Sequence, residues 1–124
     1  MVVYDEHGGI YDHVPPPYLD PAAPDGSESN PAETGGSPFK FDRLGVRVPA
    51  ILISPWVKKG MVVPGPESPA GRVFEHASIP ATVTSQFLGT YDQRTAREKA
   101  AQTFLDLLGD DMRTEADCPV FYLD

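Results

Sequence analysis

The sequence predicts an α/β fold, and three observations carry that reading. Val2, Val3 and Tyr4 form a short β-branched and aromatic run that stops abruptly at two carboxylates. Residues 48–54 give the strongest strand signal in the chain: Val48, Ala50, Ile51, Leu52 and Ile53, with Pro49 near the start and Pro55 closing the run. Both runs are apolar on both faces, as strands covered by helices should be. Downstream, residues 78–88 and 95–108 carry helical periodicity between recognisable start and stop signals.

The first strand leads into Asp5-Glu6-His7-Gly8-Gly9-Ile10-Tyr11-Asp12-His13. Chemistry in α/β folds gathers at the C-terminal tips of strands. Asp5 and Glu6 offer hard oxygen donors suited to a divalent cation, and His7 and His13 offer nitrogen donors. Gly8 and Gly9 let the backbone turn where a side chain would block a ligand's approach. On composition alone, an acidic pair after a strand is usually a solvated turn.

Residues 15–38 hold seven prolines and almost no large apolar side chain after Leu19, the composition of a long surface loop and of a candidate lid. Pro15-Pro16-Pro17 reads as a stiff rim that fixes how the chain leaves His13. Phe39 and Phe41 alternate with Lys40 and Asp42 as in a short edge strand, and Leu44-Gly45 makes the turn into residues 48–54. Trp56 follows, as packing against the strand or as a stacking surface. Lys58 and Lys59 come next: they attract phosphate if the two strands run parallel, and otherwise form a soluble turn before Gly60. Residues 61–71 read as a second proline-rich loop.

Ser78 reads as the N-cap of a helix to Leu88, with Pro80 in its first turn, Gly89 as terminator and Ile79, Val83 and Phe87 as the buried stripe. His76 precedes that helix, a position suited either to an anion at the free amides or to capping and packing. Thr95-Ala96-Arg97-Glu98 is a capping box opening a second helix, with Ala100, Ala101, Phe104, Leu105 and Leu108 on its apolar face and Gly109 at its end. Residues 120–123 suggest a final short strand.

Gly and Pro number 11 and 14, about a fifth of the chain, so much of it must be loop. The net charge of −8 opposes nucleic acid and anionic membrane surfaces as partners. Seven acids and no Lys or Arg fall in residues 1–34; Asp20, Asp25, Glu28 and Glu33 among them read as a solvated acidic loop. The single cysteine, Cys118, excludes an intrachain disulfide and a cysteine zinc cluster. No stretch reads as a signal peptide or a membrane span.

The string Asp5-Glu6-His7-Gly8-Gly9, then Tyr11-Asp12-His13-Val14-Pro15-Pro16-Pro17, closely resembles the signature of the bacterial phosphoesterase family that contains the phosphatidylcholine-type phospholipases C and related acid phosphatases. Residues 41–60, with Gly45-Val46-Arg47-Val48-Pro49 at their centre, and Phe74-Glu75-His76-Ala77-Ser78-Ile79 look like the next two blocks of that family, in its order. The resemblance covers most of the chain to about residue 110. It implies an alkaline phosphatase-like three-layer fold with a mostly parallel sheet, and hydrolysis of a phosphate ester, phospholipids included, at a site holding a divalent metal ion of unspecified identity.

By this resemblance Asp5 and Glu6 are metal ligands. His7 and His76 are candidate catalytic residues that orient groups or protonate a leaving group, and His13 and Lys58 are candidate substrate contacts. Asp12 is expected to orient the ligands. The family also suggests a secreted or periplasmic protein. No nucleophile is evident within the chain: Ser54 stands between Ile53 and Pro55 without a nucleophile elbow. Met1 begins inside the first strand. Residues 1–124 are therefore expected to be a single partial domain, the C-terminal part of the catalytic domain, inactive alone and completed by an N-terminal part of the same fold. The rival reading is a non-catalytic acidic metal-binding or interaction module that pairs its open strand edges with a partner.

Overall fold

The computed structural model describes residues 1–19, 24–63, 72–89 and 94–118. Its elements are β1 (Val2–Val3), β2 (Ala50–Ile51), α1 (Ser78–Phe87) and α2 (Ala96–Ala100), followed by 3-10 turns at Leu105–Leu107 and Glu115–Asp117. The expected strand at 120–123 and most of the loop at 61–71 lie outside the described residues.

The first nineteen residues run antiparallel to residues 42–53 along one seam. At one end β1 pairs with β2, Val2 opposite Ile51 and Val3 opposite Ala50, and the Tyr4 N–H donates to the Pro49 carbonyl at 3.2 Å. At the other end Tyr18 bridges to Arg43, with Leu19 N–H donating to the Asp42 carbonyl at 2.7 Å and Leu44 N–H to the Pro17 carbonyl at 3.0 Å. The proline-rich loop joins the two sides.

This corrects the expected geometry of the two strands. A parallel pair needs a crossover, usually a helix, and the described residues between β1 and β2 contain none. The chain simply folds back, so the pair is antiparallel. The C-terminal end of β1, where Asp5 follows, therefore faces the start of β2. The chain leaves β2 toward Lys58 at the end that pairs with Val2, not at the end beside Asp5. The strands are also uncovered: Val2 is 54 % exposed and Ile51 60 %, and neither helix makes a substantial contact with the pair.

The best-buried side chains lie instead around the two helices, where Ser78, Ala81, Thr84 and Leu107 are closed from solvent. The buried stripe of α1 is thus Ser78, Ala81 and Thr84, at helical spacing, rather than the predicted Ile79, Val83 and Phe87; Phe87 is 77 % exposed. Hydrogen bonding selects that face. Thr84 donates its hydroxyl proton to Glu98 on α2 at 2.8 Å, and Thr82 accepts from the Phe104 N–H at 2.9 Å while donating to the Ser78 carbonyl at 2.7 Å. Ser78 is not the N-cap; it opens the helix proper and accepts from the Glu75 N–H at 3.1 Å.

Thr95 does cap α2, accepting from the Glu98 N–H at 3.1 Å. The Glu98 carboxylate is drawn to Thr84, so only half of the capping box forms. The helix stops after Ala100 rather than running on to Leu108, and Ala101 is extended. Here tertiary partners override propensity: the Phe104 N–H goes to Thr82, and the Gln102 side chain accepts from the Val73 N–H at 3.1 Å. Phe104 stacks on Phe74 with ring centroids 4.6 Å apart.

Ala81, 1 % exposed, leaves no room for a larger side chain between α1 and its neighbours. Ala81→Leu should lower stability by about 1–3 kcal/mol, read by urea denaturation.

Candidate functional site

The acidic turn is built by its own backbone. Gly8 and Gly9 stand at φ 68° and 70°, in the left-handed region. That conformation brings the Gly8 N–H to Glu6 Oε1 at 2.7 Å and the Gly9 N–H to His7 Nδ1 at 3.0 Å. The Ile10 N–H closes the turn on the His7 carbonyl at 3.2 Å. A β-carbon on Gly8 would meet the Tyr4 ring at 3.5 Å, an ordinary contact. The cost of Gly8→Ala is therefore conformational, about 1–2 kcal/mol, and should appear as a lower denaturation midpoint with β1 intact.

Asp5 makes no hydrogen bond or ion pair among the described residues, and its carboxylate stands exposed. Glu6 keeps Oε2 near His7 Nε2 at 3.6 Å. With Nδ1 accepting from Gly9, the proton of a neutral His7 sits on Nε2. Two carboxylates and an imidazole with a donor nitrogen are thus presented by one turn.

A second anchor holds this turn from behind. Asp12 takes both nitrogens of a guanidinium fork, Arg47 Nε at 2.6 Å and Nη2 at 2.8 Å, and also accepts from the Val14 N–H at 3.0 Å. The Asp12 side chain is only 10 % exposed. The bond from Arg47, then that from Val14, lowers its pKa to about 2. Residues 35 apart in sequence are locked midway along the seam, between the β1–β2 ladder and the Tyr18–Arg43 bridge.

The other candidates are less well placed. His13 is exposed and makes no hydrogen bond among the described residues. His76 is exposed too, its carbonyl accepting from Ile79 at 3.1 Å, while its neighbour Glu75 pairs with Arg97 at 2.6 Å. Lys58 lines a separate cleft with Trp56 and Asp106.

The chemistry of Asp5 and Glu6 suits a divalent cation, but their number does not complete a shell of four or more donors. Among the described residues no group of three or more His, Cys, Asp or Glu could hold a metal ion. The turn is a partial donor set.

The model of the phosphoesterase family matches residues 1–88, from β1 through the last turn of α1. The chain belongs to the phosphoesterase family. Membership implies an α/β fold of the alkaline phosphatase type. Asp12 and Arg47 both lie inside the matched stretch, and α2 lies beyond it.

Curated plant relatives align over nearly the whole chain, and a bacterial one over about three quarters of it. Non-specific phospholipase C6 of Arabidopsis thaliana is 45% identical over 123 residues, covering 97% of this chain and 22% of the relative. Non-specific phospholipase C3 of the same plant is 48% identical over 123 residues, with the same coverage. Non-hemolytic phospholipase C of Burkholderia pseudomallei is 31% identical over 102 residues, covering 76% of this chain and 13% of the relative. The bacterial label expected from sequence is therefore too narrow. The chain spans about a fifth of the length of the plant relatives it matches.

The sequence reading missed the partner of Asp12. Its only signal was Arg47 standing inside the second family block while Asp12 stood inside the first.

Proposed function

We propose that this chain forms part of the site of a metal-dependent phosphate-ester hydrolase of the phospholipase C type, with Asp5 and Glu6 as two of the metal ligands. One observation carries the reading: the Asp12–Arg47 fork ties the acidic turn to the second family block inside the stretch that matches the phosphoesterase model. The relatives above are phospholipases C, which favours that branch over acid phosphatase. A bound divalent cation would polarise a phosphoryl oxygen and let a protein of charge −8 accept an anionic substrate.

The chain's own residues have distinct tasks. Asp5 offers an unengaged carboxylate, and Glu6 is oriented by the Gly8 amide. His7, with its proton on Nε2, would donate a hydrogen bond to a phosphoryl or leaving oxygen, and could protonate that oxygen only as an imidazolium, with Nδ1 released from the Gly9 amide. His13, next to Asp12, is the substrate contact we favour. Lys58, which lines the cleft with Trp56 and Asp106, and His76, before α1, are assigned no role in this reading. The nucleophile, the remaining donors and the sheet that covers β1 and β2 would come from the portion of the fold that this fifth of the relatives does not span; we propose that this larger sheet is mostly parallel.

Titration with manganese, followed by paramagnetic broadening of backbone amides, tests the metal assignment on the 124-residue chain. Gly8 and Gly9 should broaden first, and Asp5→Asn/Glu6→Gln should abolish the effect. Equal broadening in parent and variant would overturn it.

A further inference from the structure

A groove of about 750 Å³ opens between the proline-rich loop, the turn before β2 and α2, and none of the acidic-turn residues lines it. Its walls are mixed. Phe39, Phe41, Leu44 and Val46 form an apolar side, with the Phe39 and Phe41 rings edge-to-face at 5.1 Å. Phe41 is held at φ 51°, a conformation that L-residues adopt at a cost of about 1–2 kcal/mol. Strain of this kind persists where surrounding structure imposes it, and it collects at ligand sites.

The charges in the groove are not equivalent. Arg97 is paired with Glu75 at 2.6 Å. Asp25 is engaged by the Ser27 hydroxyl at 2.7 Å and the Ser27 N–H at 3.0 Å. That hydroxyl bond, ahead of the amide bond, holds its carboxyl below the ordinary value, so it is ionised at neutral pH. Arg43 is different. Its guanidinium lies 5.5 Å from the centre of the Phe39 ring and meets no carboxylate among the described residues. A planar cation whose donors meet no partner among the described residues, at the edge of an apolar wall, matches an anionic head attached to an aliphatic body.

We propose that this groove binds an anionic amphiphile, an alkyl chain ending in phosphate or carboxylate, with the head on Arg43 and the chain along Phe39, Phe41, Leu44 and Val46. The assignment is independent of the metal-bearing turn, and it makes opposite demands on the two unlike charges. Removing Arg43 weakens binding; removing the Asp25 charge, which repels the head, strengthens it. Arg43 joins the Tyr18 bridge through its backbone, so a side-chain substitution leaves the seam in place.

The test is calorimetric titration of the 124-residue chain with decyl phosphate and decanoate as monomers, with decanol as the uncharged counterpart. Decyl phosphate or decanoate should bind one site with saturation, at least about tenfold more tightly than decanol, since a charge-assisted head contact is worth about one decade or more. Arg43→Gln should remove about that tenfold, Arg43→Lys should retain most of it, and Asp25→Asn should tighten binding about two- to threefold. The two anions separate the head groups: a preference for decyl phosphate assigns a phosphate site, and parity or a preference for decanoate a site for a single negative charge. Equal affinity of parent and Arg43→Gln, decanol binding as tightly as the anions, or ring signals of Phe39 and Phe41 that do not move would each overturn the proposal.

Discussion

Exchanged for the matching fifth of a plant phospholipase C relative, this chain should support phosphate-ester hydrolysis, and Asp5→Asn/Glu6→Gln should then lower kcat by at least ~10²-fold. The amides keep the shape of the carboxylates, and Gln at position 6 can still accept from the Gly8 N–H that now binds Glu6 Oε1 at 2.7 Å. What is lost is two negative charges and the capacity to grip a cation, which supplies several kcal/mol of transition-state stabilisation in metal-assisted hydrolysis. Hydrolysis within tenfold of the parent hybrid, at equal thermal stability, would remove these residues from the site.

Arg47→Ala in the same hybrid should lower kcat by about 10–100-fold, the usual cost of losing a group that orients ligands. Neither Arg47 nor Asp12 need touch substrate for this. The fork holds the stretch after the turn against the start of β2, and without it only the two end ties of the seam remain. Arg47→Lys should fall between, because an ammonium keeps the charge but cannot fill both Asp12 oxygens in one plane.

The same pair sets a pH dependence of stability. Asp12 is lowered from 3.8 to about 2 on folding, so its contribution is complete above about pH 4 and is lost as pH falls through 2. Arg47→Ala should lose the larger part of that acid-side decline, the Val14 amide bond keeping the rest, read by denaturation midpoints at pH 5, 3 and 2.

What the sequence made legible was local. The β-branched run before Asp5 and the apolar run around Ile51 mark β1 and β2, Thr95 marks a helix start, and the two glycines mark the turn that presents the carboxylates. Strand direction was not legible, since alternation and hydrophobicity are the same read either way. Lys58 was expected on the side of Asp5 only if the two strands ran parallel, and the pair is antiparallel. The second helix failed for a comparable reason: nothing near Phe104 announces that its N–H will go to Thr82, 22 residues earlier. The face of α1 turned because hydroxyls of Ser78, Thr82 and Thr84 found partners, while Val83 and Phe87 of the apolar stripe stand exposed. Arg47 and Asp12 were both in view, but a pairing across 35 residues needs the fold to be seen.

Asp12 is locked by Arg47, and that fork ties the stretch after the acidic turn to the seam. Carbon-13 titration of the Asp12 carboxyl in the parent chain measures this directly. An inflection near pH 2 is the result predicted here; an inflection near 3.8, the value of an unengaged aspartate, would contradict it.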